Sequence, residues 1–130
     1  MTGTAQEWLT RASEDLATVE KLLDDEGLTN IAAFHAQQCI EKCFKALLEA
    51  AGKPVPRIHD LVRLAALVAE IDEIPVDETD LIELSTVYLD SRYPVATGYL
   101  PAGKPDLHDI KQFHQTAAEI FRLVASRKDR

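Results

Sequence analysis

Arg92 is the residue of this chain that most needs a chemical account. Leu81, Leu84, Ser85, Tyr88 and Arg92 recur at helical spacing, so a permanent cation shares the stripe that otherwise faces a core. It either pairs with Glu41 or a neighbouring carboxylate, or snorkels to solvent from its helix end. Alternatively it lines a groove and offers its planar fork to a phosphate or carboxylate.

A second cluster comprises Phe34, His35, Gln37, Gln38, Glu41, Lys42 and Lys45. On a helix, Gln38, Glu41, Lys42 and Lys45 gather on one face with His35 near its edge. That face is either a solvated surface of Glu–Lys pairs or the wall of a polar groove. A third cluster is Ile58-His59-Asp60-Leu61, where His59 or Asp60 caps the following helix or joins the groove. No metal centre is expected, because His35, His59, His108 and His114 form neither a Glu-x-x-His nor a His-x-x-x-His pattern. Cys39 and Cys43 stand four apart on one predicted helix, a poor geometry for a mutual disulfide, and read as reduced core thiols.

The elements that must position these residues are helices. Trp8, Leu9, Ala12, Leu16, Val19, Leu22 and Leu23 predict a first helix from about Thr4 to Asp25, stopped by Gly27. Thr29 or Asn30 is expected to cap a second helix running to Ala51 and ended by Gly52, with Ala33, Ala36, Ile40, Cys43, Phe44, Leu47 and Ala51 inward. A third starts near His59 or Asp60 and buries Leu61, Leu64, Ala65, Val68 and Ile71 before Pro75. The fourth runs from about Glu78 to Tyr93 and stops at Pro94; a loop with Gly98, Pro101 and Gly103 follows. The fifth takes Pro105 in its first turn, buries Leu107, Ile110, Phe113, Ala117, Ile120 and Val124, and ends among Arg122, Arg127, Lys128 and Arg130, which complement the helix dipole. The expected fold is all-α, an antiparallel bundle of four to five helices forming a single domain over residues 1–130.

Composition narrows the function classes. A formal charge of −8 repels phosphate backbones and disfavours broad nonspecific nucleic-acid binding, while leaving room for a local basic pocket. The apolar runs fall short of the roughly 20 residues a membrane span needs, and polar Thr2, Gly3 and Thr4 follow Met1 without a signal-peptide pattern, so a cytoplasmic protein is expected.

The succession Ala33-Phe34-His35-Ala36-Gln37-Gln38-Cys39-Ile40-Glu41-Lys42-Cys43-Phe44-Lys45-Ala46-Leu47-Leu48, then His59-Asp60-Leu61, then Ser91-Arg92-Tyr93-Pro94, resembles the HEPN domain family across nearly the whole chain. The resemblance implies a helical bundle, often dimeric, acting beside a minimal nucleotidyltransferase as a toxin–antitoxin pair or related module. It also implies a metal-independent ribonuclease centre of an Arg followed after four to six residues by His. Arg92 matches that arginine, but Thr97, Gly98 and Tyr99 occupy the histidine positions, and His108 lies too far along. Threonine and tyrosine are poor general bases near neutral pH. Tyr99 also stands where some family toxins carry a tyrosine that the partner modifies with AMP.

These readings lead to three expectations. The first is a dimeric binding module that partners a nucleotidyltransferase and offers Arg92, Lys42, Lys45 and Gln38 to a nucleotide or RNA phosphate, supported by Glu41, His35, His59 and Tyr93, with no cofactor. The second is a ribonuclease toxin whose missing base is His35 or His59. The third is a ligand-free oligomerisation bundle in which Arg92 and Glu41 form a buried pair. Phe34, placed by periodicity toward the polar face, is the expected exposed aromatic at a dimer contact.

Overall fold

The computed structural model describes residues 1–91 and 103–127. Its helices are α1 (Gly3–Lys21), α2 (Thr29–Ala50), α3 (Leu61–Ala69), α4 (Glu78–Ser91) and α5 (Leu107–Ala125), with a short 3-10 turn at Glu26–Leu28. The regular elements among the described residues are all helical, and they pack as an antiparallel five-helix bundle.

α2 is the axis of the bundle, packing against all four other helices. A helix enclosed on so many sides has little surface left for water, and its buried residues include Gln37, Glu41 and Lys45 beside Ile40, Phe44 and Leu47. Glu41 and Lys45 of the expected polar face are therefore interior, while His35, Gln38 and Lys42 are half-buried. Ala51, expected inward, is exposed just past the helix end. There Gly52 adopts a φ of 69°, and Gly52 N–H and Lys53 N–H reach back to Glu49 O and Leu48 O at 3.0 and 2.9 Å. That pattern is a Schellman ending, with glycine in the left-handed position.

The N-terminal expectations need correction at two helices. α1 stops at Lys21 instead of Asp25, because Asp25 accepts from Gly27 N–H at 2.9 Å and caps the 3-10 turn. A short aspartate side chain competes well with helix continuation in this way. Neither Thr29 nor Asn30 caps α2: Leu28 holds the cap position without a side-chain bond, and the buried Thr29 hydroxyl has no hydrogen-bond partner among the described residues.

α3 begins where Asp60 accepts from Val62 N–H and Arg63 N–H, which decides the cap in favour of Asp60 and releases His59. Leu61, Leu64 and Val68 are buried, whereas Ala65 and Ile71 are only half-buried, since α3 is short and Ile71 lies beyond its end. On α4, Leu81, Leu84 and Val87 are buried, and Ser85 accepts the Leu61 N–H at 2.8 Å, tying α4 to the start of α3.

Asp106, not Pro105, opens α5, through a capping box with Asp109; Pro105 precedes the cap. Ile110, Phe113, Ala117, Ile120 and Val124 are buried as their spacing requires, while Leu107 in the first turn is half-buried. Ile40, Phe44, Leu47, Leu64 and Ile120 share one core. At the other end, Arg127 does more than complement the dipole: its guanidinium holds Asp72 and donates to Glu73 O at 3.2 Å, fastening the segment after α3 to the end of α5.

Candidate functional site

The polar groups predicted for α2 form two connected clusters, each built on a carboxylate that burial would penalise without partners. Glu41 is 4% exposed. Its Oε1 accepts from Gln37 Nε2 at 3.0 Å and contacts His59 Nδ1 at 3.0 Å, with Gln38 Nε2 at 3.5 Å. Its Oε2 accepts from Lys45 Nζ at 3.0 Å. Residues 37, 41 and 45 follow one another at a turn of helix each, so the Gln–Glu–Lys ladder follows from α2 itself. His59 comes from the segment before α3 and is held there by Gln37, whose Nε2 also donates to the His59 carbonyl at 3.1 Å. Gln38 donates to Gln37 Oε1 at 2.7 Å, which satisfies the last acceptor of that fully buried amide.

The second cluster centres on Asp15 of α1, 7% exposed. Oδ1 lies 2.9 Å from His35 Nδ1, and Oδ2 accepts from Lys42 Nζ at 2.7 Å. Both partners stand on α2, so the pair pins the α1–α2 interface. Lys45 is drawn toward α1 as well, its ammonium lying 5.5 Å from the Trp8 ring centroid, within cation–π range.

An ionised carboxylate can only accept, so each imidazole must present a protonated Nδ1 to its partner. In the neutral ring this leaves the Nε2 lone pair as the remaining function. Two histidines thus present Nδ1–H to carboxylates, His35 to Asp15 at the α1–α2 contact and His59 to Glu41 before α3. Histidine oriented in this manner suits proton transfer or, once protonated, anion binding.

Of the expected site residues, the structure brings Gln38, Lys45 and His59 together around Glu41, and His35 and Lys42 together around Asp15. Arg92, Tyr93 and Tyr99 lie outside the described residues. Both lysines meet carboxylates, and the Lys45 side chain is only 6% exposed. Asp15 is the member that the sequence reading left out, while Gln37 was named in the second cluster without a role of its own. Asp15 carried a signal, since it falls between Ala12 and Val19 in the inward register of α1, the same anomaly that marks Arg92. The full burial of Gln37 carried no signal, because an amide at a helix edge looks the same whether buried or wet. Phe34, expected to be exposed, is half-buried against the core and stacks edge-on with the His35 ring at 5.5 Å.

Cys39 and Cys43 are free and buried, and burial, followed by the hydrogen bond with Cys39, pushes the Cys43 thiol well above its usual range. Both behave as core thiols, not nucleophiles. Among the described residues no group of three or more His, Cys, Asp or Glu side chains could hold a metal ion. None of the described helices is long and apolar enough to cross a membrane.

The HEPN domain model matches residues 5–128. The chain belongs to the HEPN domain family. Among solved structures, TT1696 from Thermus thermophilus is 28% identical, covering 96% of this chain and 98% of that one, with a TM-score of 0.76. ST0689, described as an archaeal HEPN homologue, superposes with a TM-score of 0.67 at 22% identity over 97% of this chain and 98% of that one, a likeness of fold. No curated protein matches the chain. Within this HEPN domain, the seam on α2 is built from the same residues whose order suggested the family.

Proposed function

We propose that this HEPN domain is a binding module that takes the phosphate of a nucleotide or RNA at the α2 seam, as a dimer working with a minimal nucleotidyltransferase. The observation that carries the reading is the α2 polar face: Asp15 and Glu41, both nearly buried, hold two lysines, two histidines and two glutamines, of which His35, Gln38 and His59 are half-exposed. Preorganised donors of this kind lower the ordering cost of binding an anion. Gln38, Lys42 and Arg92 are the ligand groups in this reading. Lys45 belongs to the frame, because it is committed to Glu41 inside the bundle, and Tyr93 has a supporting role in this reading.

The test is competition for a fluorescent ATP analogue and, separately, a short labelled RNA, using the purified chain with and without Arg92→Ala. Saturable binding weakened at least tenfold by Arg92→Ala is expected. Failure of the wild-type chain to bind either probe refutes the reading.

The two carboxylate–histidine pairs favour a second reading, a metal-independent ribonuclease in which His59 or His35 supplies the base absent from positions 97–99. Arg92 stabilises phosphorane charge in that scheme but stays protonated and cannot be the base. In the first reading the purified chain cleaves RNA weakly or not at all. Robust cleavage in EDTA, abolished by Arg92→Ala and by His35→Ala or His59→Ala, would establish the second in its place.

A further inference from the structure

Gln38 stands one turn before Lys42 on α2, so the two side chains are neighbours on one face of the helix. Gln38 is half-exposed, and the groups beneath it decide which end of its amide meets solvent. A carboxamide has one accepting end and one donating end, and the wrong orientation sets like poles against each other.

The orientation is set from Glu41 outward. An ionised carboxylate can only accept, and so can a main-chain carbonyl. Gln37 Nε2 lies 3.0 Å from Glu41 Oε1 and 3.1 Å from the His59 carbonyl, so both of its hydrogens go to acceptors and its Oε1 is turned the other way. That oxygen accepts from Gln38 Nε2 at 2.7 Å, and the second hydrogen on Gln38 Nε2 is directed toward Glu41 Oε1 at 3.5 Å. Reversing the Gln38 amide would set its oxygen against two acceptors, one of them anionic. Among the described residues Gln38 Oε1 accepts no hydrogen bond. The buried polar atoms without a partner there are Thr29 Oγ1 and His114 Nε2, so Gln38 Oε1 reaches solvent as an acceptor.

A carbonyl oxygen repels a phosphate and attracts a neutral N–H or O–H. We infer that Gln38 reads an N–H or O–H donor on the base or sugar of a nucleotide, while the phosphate lies with Lys42 and Arg92. The inference rests on the nucleotide-binding reading above and gives one of its ligand groups to the part of the nucleotide that distinguishes one ligand from another. Gln38 is then a specificity-determining residue. Gln37 and Glu41 hold its amide in place, so a ligand lacking the donor leaves the Gln38 oxygen unpaired in the complex.

Calorimetric titration of the full chain with AMP tests this beside three analogues, two lacking one or other ribose hydroxyl and one lacking the adenine amino group. One of the three should bind about five- to tenfold more weakly than AMP, the worth of one hydrogen bond. On Gln38→Ala that analogue and AMP should bind alike. Loss with a hydroxyl analogue assigns the donor to the sugar, and loss with the amino analogue assigns it to the base. Equal affinity of all four for the wild-type chain, or a preference that survives Gln38→Ala, overturns the inference and leaves phosphate binding standing; absence of AMP binding overturns both. A second measurement needs neither variant nor ligand. In proton spectra of the unliganded chain the Gln38 side-chain amide hydrogens should exchange with solvent more slowly than those of the exposed Gln115. Equal rates overturn the inference, because the Gln38 nitrogen would then be the end that faces solvent.

Discussion

Replacing Glu41 by alanine isolates the energetic role of the seam. Lys45 would keep a side chain 6% exposed and lose its ion-pair partner 3.0 Å away. Removing one member of a buried pair costs about 3–5 kcal/mol, because the other charge stays desolvated. The Trp8 ring beneath Lys45 offsets part of that, about 0.5–2 kcal/mol for a cation–π contact. Gln37 keeps the His59 carbonyl as an acceptor. The net loss is therefore about 3 kcal/mol, a large share of the roughly 5–15 kcal/mol that holds a domain folded. With a urea m-value of about 2 kcal/mol per molar, the unfolding midpoint should fall by about 1.5 M. The double change Glu41→Leu with Lys45→Met removes both charges at similar volume and should return within about 1 kcal/mol of the wild type. A single variant within about 1 kcal/mol of wild type, or a double variant no more stable than the single, would falsify the view that a desolvated lysine is the source of the loss.

Phe113 is fully enclosed at the centre of α5's inward face, so Phe113→Ala should lose about 3–5 kcal/mol in the same denaturation assay through lost transfer energy and a residual cavity. Glu83 has its carboxyl pushed above the ordinary range, first by burial and then by the nearby charges of Asp80, Asp109 and Asp77. A raised carboxyl pKa means that the fold prefers the protonated form, so this contribution is fully present below the unfolded value and is lost as pH rises through the folded one. Glu83→Gln should accordingly raise the melting temperature at neutral pH, with the gain vanishing in acid below the usual carboxylate range; an equal gain at both pH values would contradict the assignment.

How far the sequence could be read depended on how many neighbours each helix has. α5 meets the bundle on one side, and its apolar stripe named every buried residue from Ile110 to Val124. α2 broke the same logic, because periodicity presumes one wet face and this helix is packed by four others. The polar residues opposite its apolar stripe were recognised by type and spacing, yet their burial was invisible. What made it tolerable was the partner set: Asp15 from α1 and His59 from before α3, placed by tertiary packing and not by local pattern. Helix ends were misplaced where short polar side chains competed with the backbone, as Asp25 and Asp106 do. The residues that carried the family resemblance near Arg92 lie outside the described segment, so the part of the site legible in the sequence and the part described in space overlap mainly on α2.

Asp15 offers a discriminating comparison with Glu41, because each holds a lysine and a histidine while their surroundings differ. Asparagine at position 15 keeps the shape of the side chain but accepts through one oxygen and donates through the other arm. It would face the Lys42 ammonium on one side and the His35 Nδ1–H on the other, now at 2.7 and 2.9 Å from acceptor oxygens. One donor must yield. The Lys42 ammonium, the charged donor, keeps the remaining oxygen, so the imidazole moves its proton to Nε2 and accepts from the new amide. This strands no buried charge, so Asp15→Asn should cost about 1–3 kcal/mol, the range for a disrupted hydrogen bond, and less than Glu41→Ala. The same rearrangement predicts a spectroscopic consequence that a merely structural loss would not produce: in nitrogen-15 spectra His35 should change from the Nδ1–H to the Nε2–H tautomer, while His59 keeps its own. A cost equal to that of Glu41→Ala, or a His35 tautomer unchanged by the substitution, would remove Asp15 from its place as the acceptor that orients this ring.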